Sequence, residues 1–304
     1  MRIGLTGGGP TVDKVVEQAV QAEVEGFTAL WYASLVTGDP LVAIAVAGRE
    51  TATIELGTAV LQTYPCHPLL QASRAASVVD AMRRPGFTLG IGPSHRPLVE
   101  DVLGMSYAHP GRSTEEYVEI LCGVLQGEVV DLDGHDWSAH TAGRASPPAH
   151  PVPVLVSALG PRLLNVAGAV ADGTVLWMAP PRAIGEHITP KVTAAAAAAG
   201  RPSPRIVAGL PVAVHDDVDA AREAAAATSA MYAGMENYRR ILALGGVDSP
   251  AEAAIVGDEA AVAAQMQGLL DAGATDIWAH VFPVGDDRRG SVQRTKDLLR
   301  SLIR

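Results

Sequence analysis

The sequence predicts a closed (β/α)8 barrel, an α/β fold of eight parallel strands ringed by helices, and three observations carry that reading. Short apolar or β-branched runs alternate with longer segments of helical periodicity, as repeated βαβ units require. Eight such runs can be counted. The length of 304 residues suits one large barrel, with residues 1–304 as a single domain, better than two ordinary domains.

The strands are expected at residues 2–6, 29–33, 54–61, 87–91, 154–157, 173–178, 206–215 and 276–282. After the first, Thr11 is a plausible cap for a helix with Val12, Val15, Val16, Ala19, Val20 and Val24 at helical spacing, ending at Gly26. Asp39-Pro40 opens the second helix, and residues 68–82 form the third. Residues 92–112 read as a long loop. Ser113 and Glu116 have the spacing of a capping box, which would start a helix over 113–126. Residues 128–150 break the rhythm: a small hairpin around Asp133-Gly134 and a proline-rich stretch make an insertion outside the repeat. The alanine run at 194–199 reads as helix before Gly200.

An open doubly wound sheet is the competing architecture. It would want a glycine fingerprint after the first strand, and Thr6-Gly7-Gly8-Gly9-Pro10 lacks the spacing. In a barrel, chemistry gathers at the carboxyl ends of the strands, so those are the positions to inspect.

Composition narrows the partners. Hydrophobic residues make up 48% and aromatics only 4%, so the core must be built from Ala, Val, Leu and Ile. The net charge of −10, with no basic run, argues against nucleic acid and anionic membranes, whose phosphates need clustered Lys and Arg. Cys66 and Cys122 have no metal-site spacing and suggest no disulfide scaffold, and His135 and His140 stand without partners, so no metal is expected. The N-terminus lacks a signal pattern and no apolar run spans a bilayer, which leads to the expectation of a cytoplasmic protein acting on a small molecule.

Several segments occur in a telling order: Gly26-Phe27-Thr28-Ala29-Leu30-Trp31, Asp39-Pro40-Leu41, Leu56-Gly57-Thr58-Ala59-Val60, His67-Pro68-Leu69 and Phe87-Thr88-Leu89-Gly90-Ile91-Gly92. Arg112 with Glu115, Glu116 and Leu121 follows, then Val156-Ser157-Ala158-Leu159-Gly160-Pro161, Ala167-Gly168 and Ala171-Asp172-Gly173. As an ordered series they resemble the luciferase-like monooxygenase superfamily, and within it the actinobacterial oxidoreductases that use the deazaflavin coenzyme F420. The resemblance covers nearly the whole chain. It implies a homodimer and an F420 site, with FMN as the alternative cofactor.

Residue by residue, the resemblance implies that the cofactor phosphate sits at Ser157-Ala158-Leu159-Gly160-Pro161 and at Trp177 and Met178, the end of the next strand. Read alone, Leu159-Gly160-Pro161 suits either a phosphate at a helix N-terminus or an ordinary strand-to-helix loop. The resemblance also implies a non-proline cis peptide at Ala59–Val60 behind the ring, with Gln62 and Ser94 near it. The second strand runs on into Ser34 and Leu35, where a related sugar-phosphate dehydrogenase branch holds Asp and a catalytic His. Ser34 can hydrogen-bond a ring edge, whereas Leu35 cannot move a proton, which counts against sugar-phosphate oxidation.

His95, where that branch has a glutamate acid, is the candidate catalytic proton donor, with Tyr64 and Ser94 as alternatives. A lone loop histidine among nine is also compatible with a solvated side chain. Arg288 and Arg289 can reach a polyglutamate tail or pair with the neighbouring Asp286 and Asp287, and the surface turn ranks first. The function expected is an F420-dependent reductase of a small organic compound by hydride transfer. Its rivals are an FMN-dependent monooxygenase and a barrel that binds flavin without turnover, the latter kept open by Leu35.

Overall fold

The computed structural model describes residues 1–33, 38–143 and 147–303. Its first half runs β1 (Ile3–Gly7), α1 (Val12–Val24), β2 (Ala29–Tyr32), α2 (Pro40–Glu50), β3 (Glu55–Thr58), β4 (Leu61–Gln62), α3 (Pro68–Met82), β5 (Phe87–Gly92) and α4 (Pro110–Leu125). A hairpin of β6 (Asp131–Asp133) and β7 (Ser138–His140) follows, then β8 (Val154–Val156), α5 (Pro161–Ala169), β9 (Gly173–Trp177), a short α6 (Pro181–Ala183) and α7 (Thr189–Ala198). The last part is β10 (Arg205–Val214), α8 (Val218–Ser229), α9 (Glu236–Leu244), a short α10 (Pro250–Ala253), β11 (Ile255–Gly257), α11 (Glu259–Asp271), β12 (Asp276–Val281) and α12 (Arg288–Leu302).

Eight of these strands close a parallel barrel in the order β1-β2-β3-β5-β8-β9-β10-β12, with β12 returning to β1. The closing register pairs Ile3 with Ile277 and Leu5 with Ala279. Closure leaves each strand buried on both faces, which is why their sequences are continuously apolar rather than alternating. Trp31, Leu155, Val175, Val207 and Trp278 fill the interior. Glycine makes that filling possible: a Cβ on Gly209 would stand 1.9 Å from Trp278 Nε1, and one on Gly57 2.4 Å from Trp31 Cζ3.

The helix starts follow capping chemistry. Thr11 accepts from Lys14 N at 3.3 Å, and Asp39 accepts from Leu41 N at 3.0 Å ahead of Pro40. Four expectations need correcting. The third strand is not continuous over 54–61 but breaks into β3 and β4, and the peptide between Ala59 and Val60, at the break, is cis. A further parallel strand, β11, pairs with β10 outside the barrel ring. The stretch 92–112 is not all loop, since Pro97–Val102 forms a wide helical turn.

The capping box is the fourth. Helix α4 begins at Pro110, so Ser113 and Glu116 lie inside it and serve the hairpin instead. Ser113 Oγ accepts from Trp137 Nε1 at 2.9 Å, and Glu116 accepts the backbone N–H groups of His135, Asp136 and Trp137 at 3.0, 2.8 and 3.0 Å. The insertion at 128–150 is held to the barrel by these bonds.

Glu23 ties α1 to the turn before β3. Its carboxylate accepts from Ala52 N, Thr53 N and Ile54 N at 3.0, 2.6 and 2.8 Å. Burial works to raise its pKa, but these donors outweigh it and hold the group at about 2. A carboxyl depressed on folding stabilises the native state above its unfolded value and loses that effect as pH falls. Glu23→Gln is therefore expected to lower Tm near neutrality, and the gap to the parent should narrow as pH falls from 4.5 towards 2. A gap that stays constant across thermal melts in that window would remove the charge from the explanation.

Candidate active site

The carboxyl ends of the strands surround one mouth, and the expected site residues come together there in three groups. The first is the break between β3 and β4. Ala59 N still donates to Tyr32 O at 2.8 Å, and β4 rejoins β5 with Gln62 opposite Gly92. The chain thus leaves the sheet for one peptide and turns Ala59 and Val60 onto the interior column, against which both pack, as Trp177 does. A Cβ on Gly92 would stand 3.2 Å from Val60 Cγ2 and 2.9 Å from Ser157 Cβ, so glycine lets three strand ends converge.

The second group is the loop from β8 to α5. Ser157 N donates to Ile91 O at 2.8 Å, and Ala158 is fully buried. Gly160 is the N-cap of α5 with extended backbone and no side-chain cap, and Pro161 is its first residue. The first-turn amides have no partner within a helix, so this end offers N–H groups and the positive end of the helix dipole. His187 Nε2 donates to Leu159 O at 2.9 Å, and Lys191 Nζ lies 3.2 Å from the other ring nitrogen.

The third group is aromatic. Trp177 ends β9, with ring centroids 4.9 Å from Trp278 and 5.9 Å from both Tyr232 and His280. Its Nε1 is buried and meets no hydrogen-bond acceptor in good geometry among the described residues. Met178 follows in the left-handed region at φ 61°, buried, donating to Gly209 O at 3.0 Å.

His95 lies in the loop after β5, half-buried, its ring 5.6 Å from that of Tyr238. Burial lowers its pKa below the ordinary imidazole value, and burial does the same to His280. Ser94, just before it, has φ 62°, and its carbonyl accepts from Tyr107 Oη at 2.8 Å. Beside this loop opens a cleft of about 230 Å3 lined by Asp39, Gln62, Cys66, Gln71, Arg74 and Leu98. Arg74 is paired there with Asp39.

Two other expectations fall out differently. Ser34 and Leu35 lie outside the described residues. Arg288 and Arg289 occupy the first turn of α12, and no ion pair joins them to Asp286 or Asp287 among the described residues. Asp287 instead caps that helix through Gly290 N at 2.9 Å, so the self-paired turn is not what forms. Among the described residues no three His, Cys, Asp or Glu side chains could hold a metal.

Residues 2–289 match the model of the luciferase-like monooxygenase family. The chain belongs to that family. Among luciferase-like relatives, the 5,10-methylenetetrahydromethanopterin reductase of Methanolobus tindarius is 28% identical over 94% of this chain and 87% of its own length. The F420-dependent hydroxymycolic acid dehydrogenase of Mycobacterium tuberculosis is 30% identical over 70% of this chain and 62% of its own. The fold is shared with an F420-dependent secondary alcohol dehydrogenase bound to an F420–acetone adduct, at a TM-score of 0.79, 18% identity and coverage of 100% and 99%. An FMN-bound Baeyer–Villiger monooxygenase from Pseudomonas putida also shares it, at a TM-score of 0.73, 16% identity and coverage of 99% and 97%. No helix of the described residues is long and apolar enough to cross a membrane.

Sequence reasoning about this luciferase-like barrel missed His280, Tyr232, Tyr238 and His187. His280 had a usable signal, since it ends the run Asp276-Ile277-Trp278-Ala279 and so lies at the carboxyl end of a barrel strand. The other three come from helical segments far along the chain, and nothing local marks them.

Proposed function

We propose that this protein is an F420-dependent oxidoreductase that exchanges hydride with a small organic substrate. The reading is carried by its 30% identity over 70% of the chain to an F420-dependent dehydrogenase, within a family it matches almost end to end. When bound, the deazaflavin supplies or takes up the hydride.

The residues present fit such a group. A flat ring needs an apolar support, and Ala59 and Val60, backed by Trp177 and the interior column, make one. Gly92 leaves space beside Val60 where any Cβ would intrude. Gln62, Ser94 and Ser157 offer polar groups around it, and the same reading gives Ser34 a hydrogen bond to the ring edge. A phosphate needs N–H donors: the uncapped α5 N-terminus after Ala158-Leu159 offers those of Gly160 and, beyond Pro161, which has none, those of Arg162 and Leu163, and the same reading adds Trp177 and Met178. His95 is the acid–base group. Burial favours its neutral form, which suits it to take a proton from an alcohol and, when charged, to give one to a carbonyl. The chain's remaining task is to position substrate and keep water out. A cytoplasmic homodimer belongs to the same reading.

Equilibrium titration of the purified apoprotein, followed by ligand fluorescence, tests the proposal. F420 should bind more tightly than FMN. Gly160→Asp should weaken F420 binding by about tenfold or more, because a carboxylate there repels the phosphate. Aspartate is itself a good N-cap, so the helix should persist. Tight FMN binding with no detectable F420 binding would transfer the protein to the flavin monooxygenases.

A further inference from the structure

The segment between α8 and β11 departs from the simple repeat and leans over the mouth. Tyr232 meets Trp177 edge-on at 5.9 Å, and Tyr238 lies 5.1 Å from Tyr232 and 5.6 Å from His95. A Cβ on Gly245, just after α9, would stand 2.4 Å from Pro180 Cγ, so this end of the segment is packed against the loop after β9. One helix, α9, therefore bridges the ends of β5 and β9.

Its third contact is with the loop at the start of α5. A Cβ on Gly160 would stand 3.4 Å from Arg240 Nη2. Arg240 is exposed and makes no hydrogen bond or ion pair among the described residues, although Glu236 lies one turn before it on the same helix. Glu186 and Glu115 are engaged by other arginines, Arg182 at 3.0 Å and Arg162 at 2.7 Å. On the other side of the loop, Lys191 bonds to His187 and to no acid among the described residues, and His187 in turn fixes Leu159 O. In a chain of net charge −10, two cations without a carboxylate partner among the described residues thus stand on either side of the loop that Gly160 caps.

We propose that Arg240 is a cofactor-binding residue, reaching from α9 to close the N-terminus of α5 over the phosphate of the deazaflavin. The inference rests on the functional reading above and adds a side chain that the loop itself does not contain. A guanidinium presents a planar fork of donors that matches phosphate oxygens, and the helix amides approach from the opposite side. Glycine at position 160 leaves the helix end open to the guanidinium, since a Cβ there would already stand 3.4 Å from Nη2.

The test compares two probes on the parent and on Arg240→Gln: F420, and the ribityl deazaflavin that lacks phosphate and tail. Fluorescence titration gives both dissociation constants, and a thermal melt checks folding. Arg240→Gln should weaken F420 by about ten- to a hundredfold, as expected for losing hydrogen bonds to a charged group, and leave the phosphate-free probe within about twofold. Added salt should weaken F420 binding to the parent more than to the variant. Equal F420 affinity in parent and variant overturns the inference, as does an equal loss of both probes. A parent that binds neither probe overturns the functional reading, and this inference with it.

Discussion

Replacing His95 by alanine is expected to lower turnover of an identified substrate by about 10²–10⁴-fold, the usual worth of a positioned proton carrier, while F420 affinity stays nearly unchanged. The position supports this: the loop after β5 opens on the mouth, and the ring is half-buried against Tyr238 rather than loose in solvent. His95→Gln keeps most of the volume and a hydrogen bond but carries no proton, so it should do little better than alanine. The pH profile separates the directions. Burial lowers the imidazole pKa, so reduction, which needs the charged ring, should slow as pH rises through a midpoint below about 6.5. Oxidation, which needs the neutral ring, should speed up through the same midpoint. Parent rates in both variants would make His95 a bystander and direct attention to Tyr64, Ser94 and the buried His280.

The second large effect lies at the other end of the barrel. Arg205 binds Glu55 at 2.6 and 3.0 Å and Asp276 at 2.7 and 3.0 Å, with its guanidinium 5.6 Å from the Trp31 ring. Arg2 bridges the same two acids from the rim, at 2.8 and 2.7 Å. The carboxylates are 12% and 7% exposed, so Arg205→Met would leave two dry negative charges short of their main partner. Breaking such a pair from one side costs about 3–5 kcal/mol. Urea or thermal unfolding should read a loss of that size, and Arg205→Lys should recover only part, because an ammonium cannot fork onto both acids. Replacing Arg205, Glu55 and Asp276 together by apolar residues should cost less than the single change, since the one charge then left without partners, Arg2, is half-exposed rather than dry. A single-variant loss under about 1 kcal/mol would mean that Arg2 alone suffices.

The barrel was legible because closure imposes a local signature. Residues such as Phe87–Gly92 are buried on both faces and read as an unbroken apolar run, and the helices between them show their spacing plainly. What escaped was set by context. Ile255–Gly257 is too short to register as a strand without β10 beside it. Ser113 and Glu116 have the spacing of a helix start, yet Pro110 was the true signal, and the pair's partners lie some twenty residues away in the hairpin. At the proposed site, Gly160 and Pro161 mark a strand-to-helix turn by their own chemistry, and only the family resemblance gives that turn a phosphate. Arg240, Tyr238 and His187 could not be read in this way, because each reaches the mouth from a segment whose sequence carries no mark of where it docks.

The tryptophans have a practical consequence. Of the four in the chain, Trp31, Trp177 and Trp278 stand in or on the interior column, and Trp177 forms its upper end at the mouth. Only Trp137, out on the hairpin, lies elsewhere. Ultraviolet emission from this molecule therefore originates mainly beneath the site. Any coloured molecule that settles there will dim it by energy transfer, which makes the unlabelled protein its own optical gauge of occupancy.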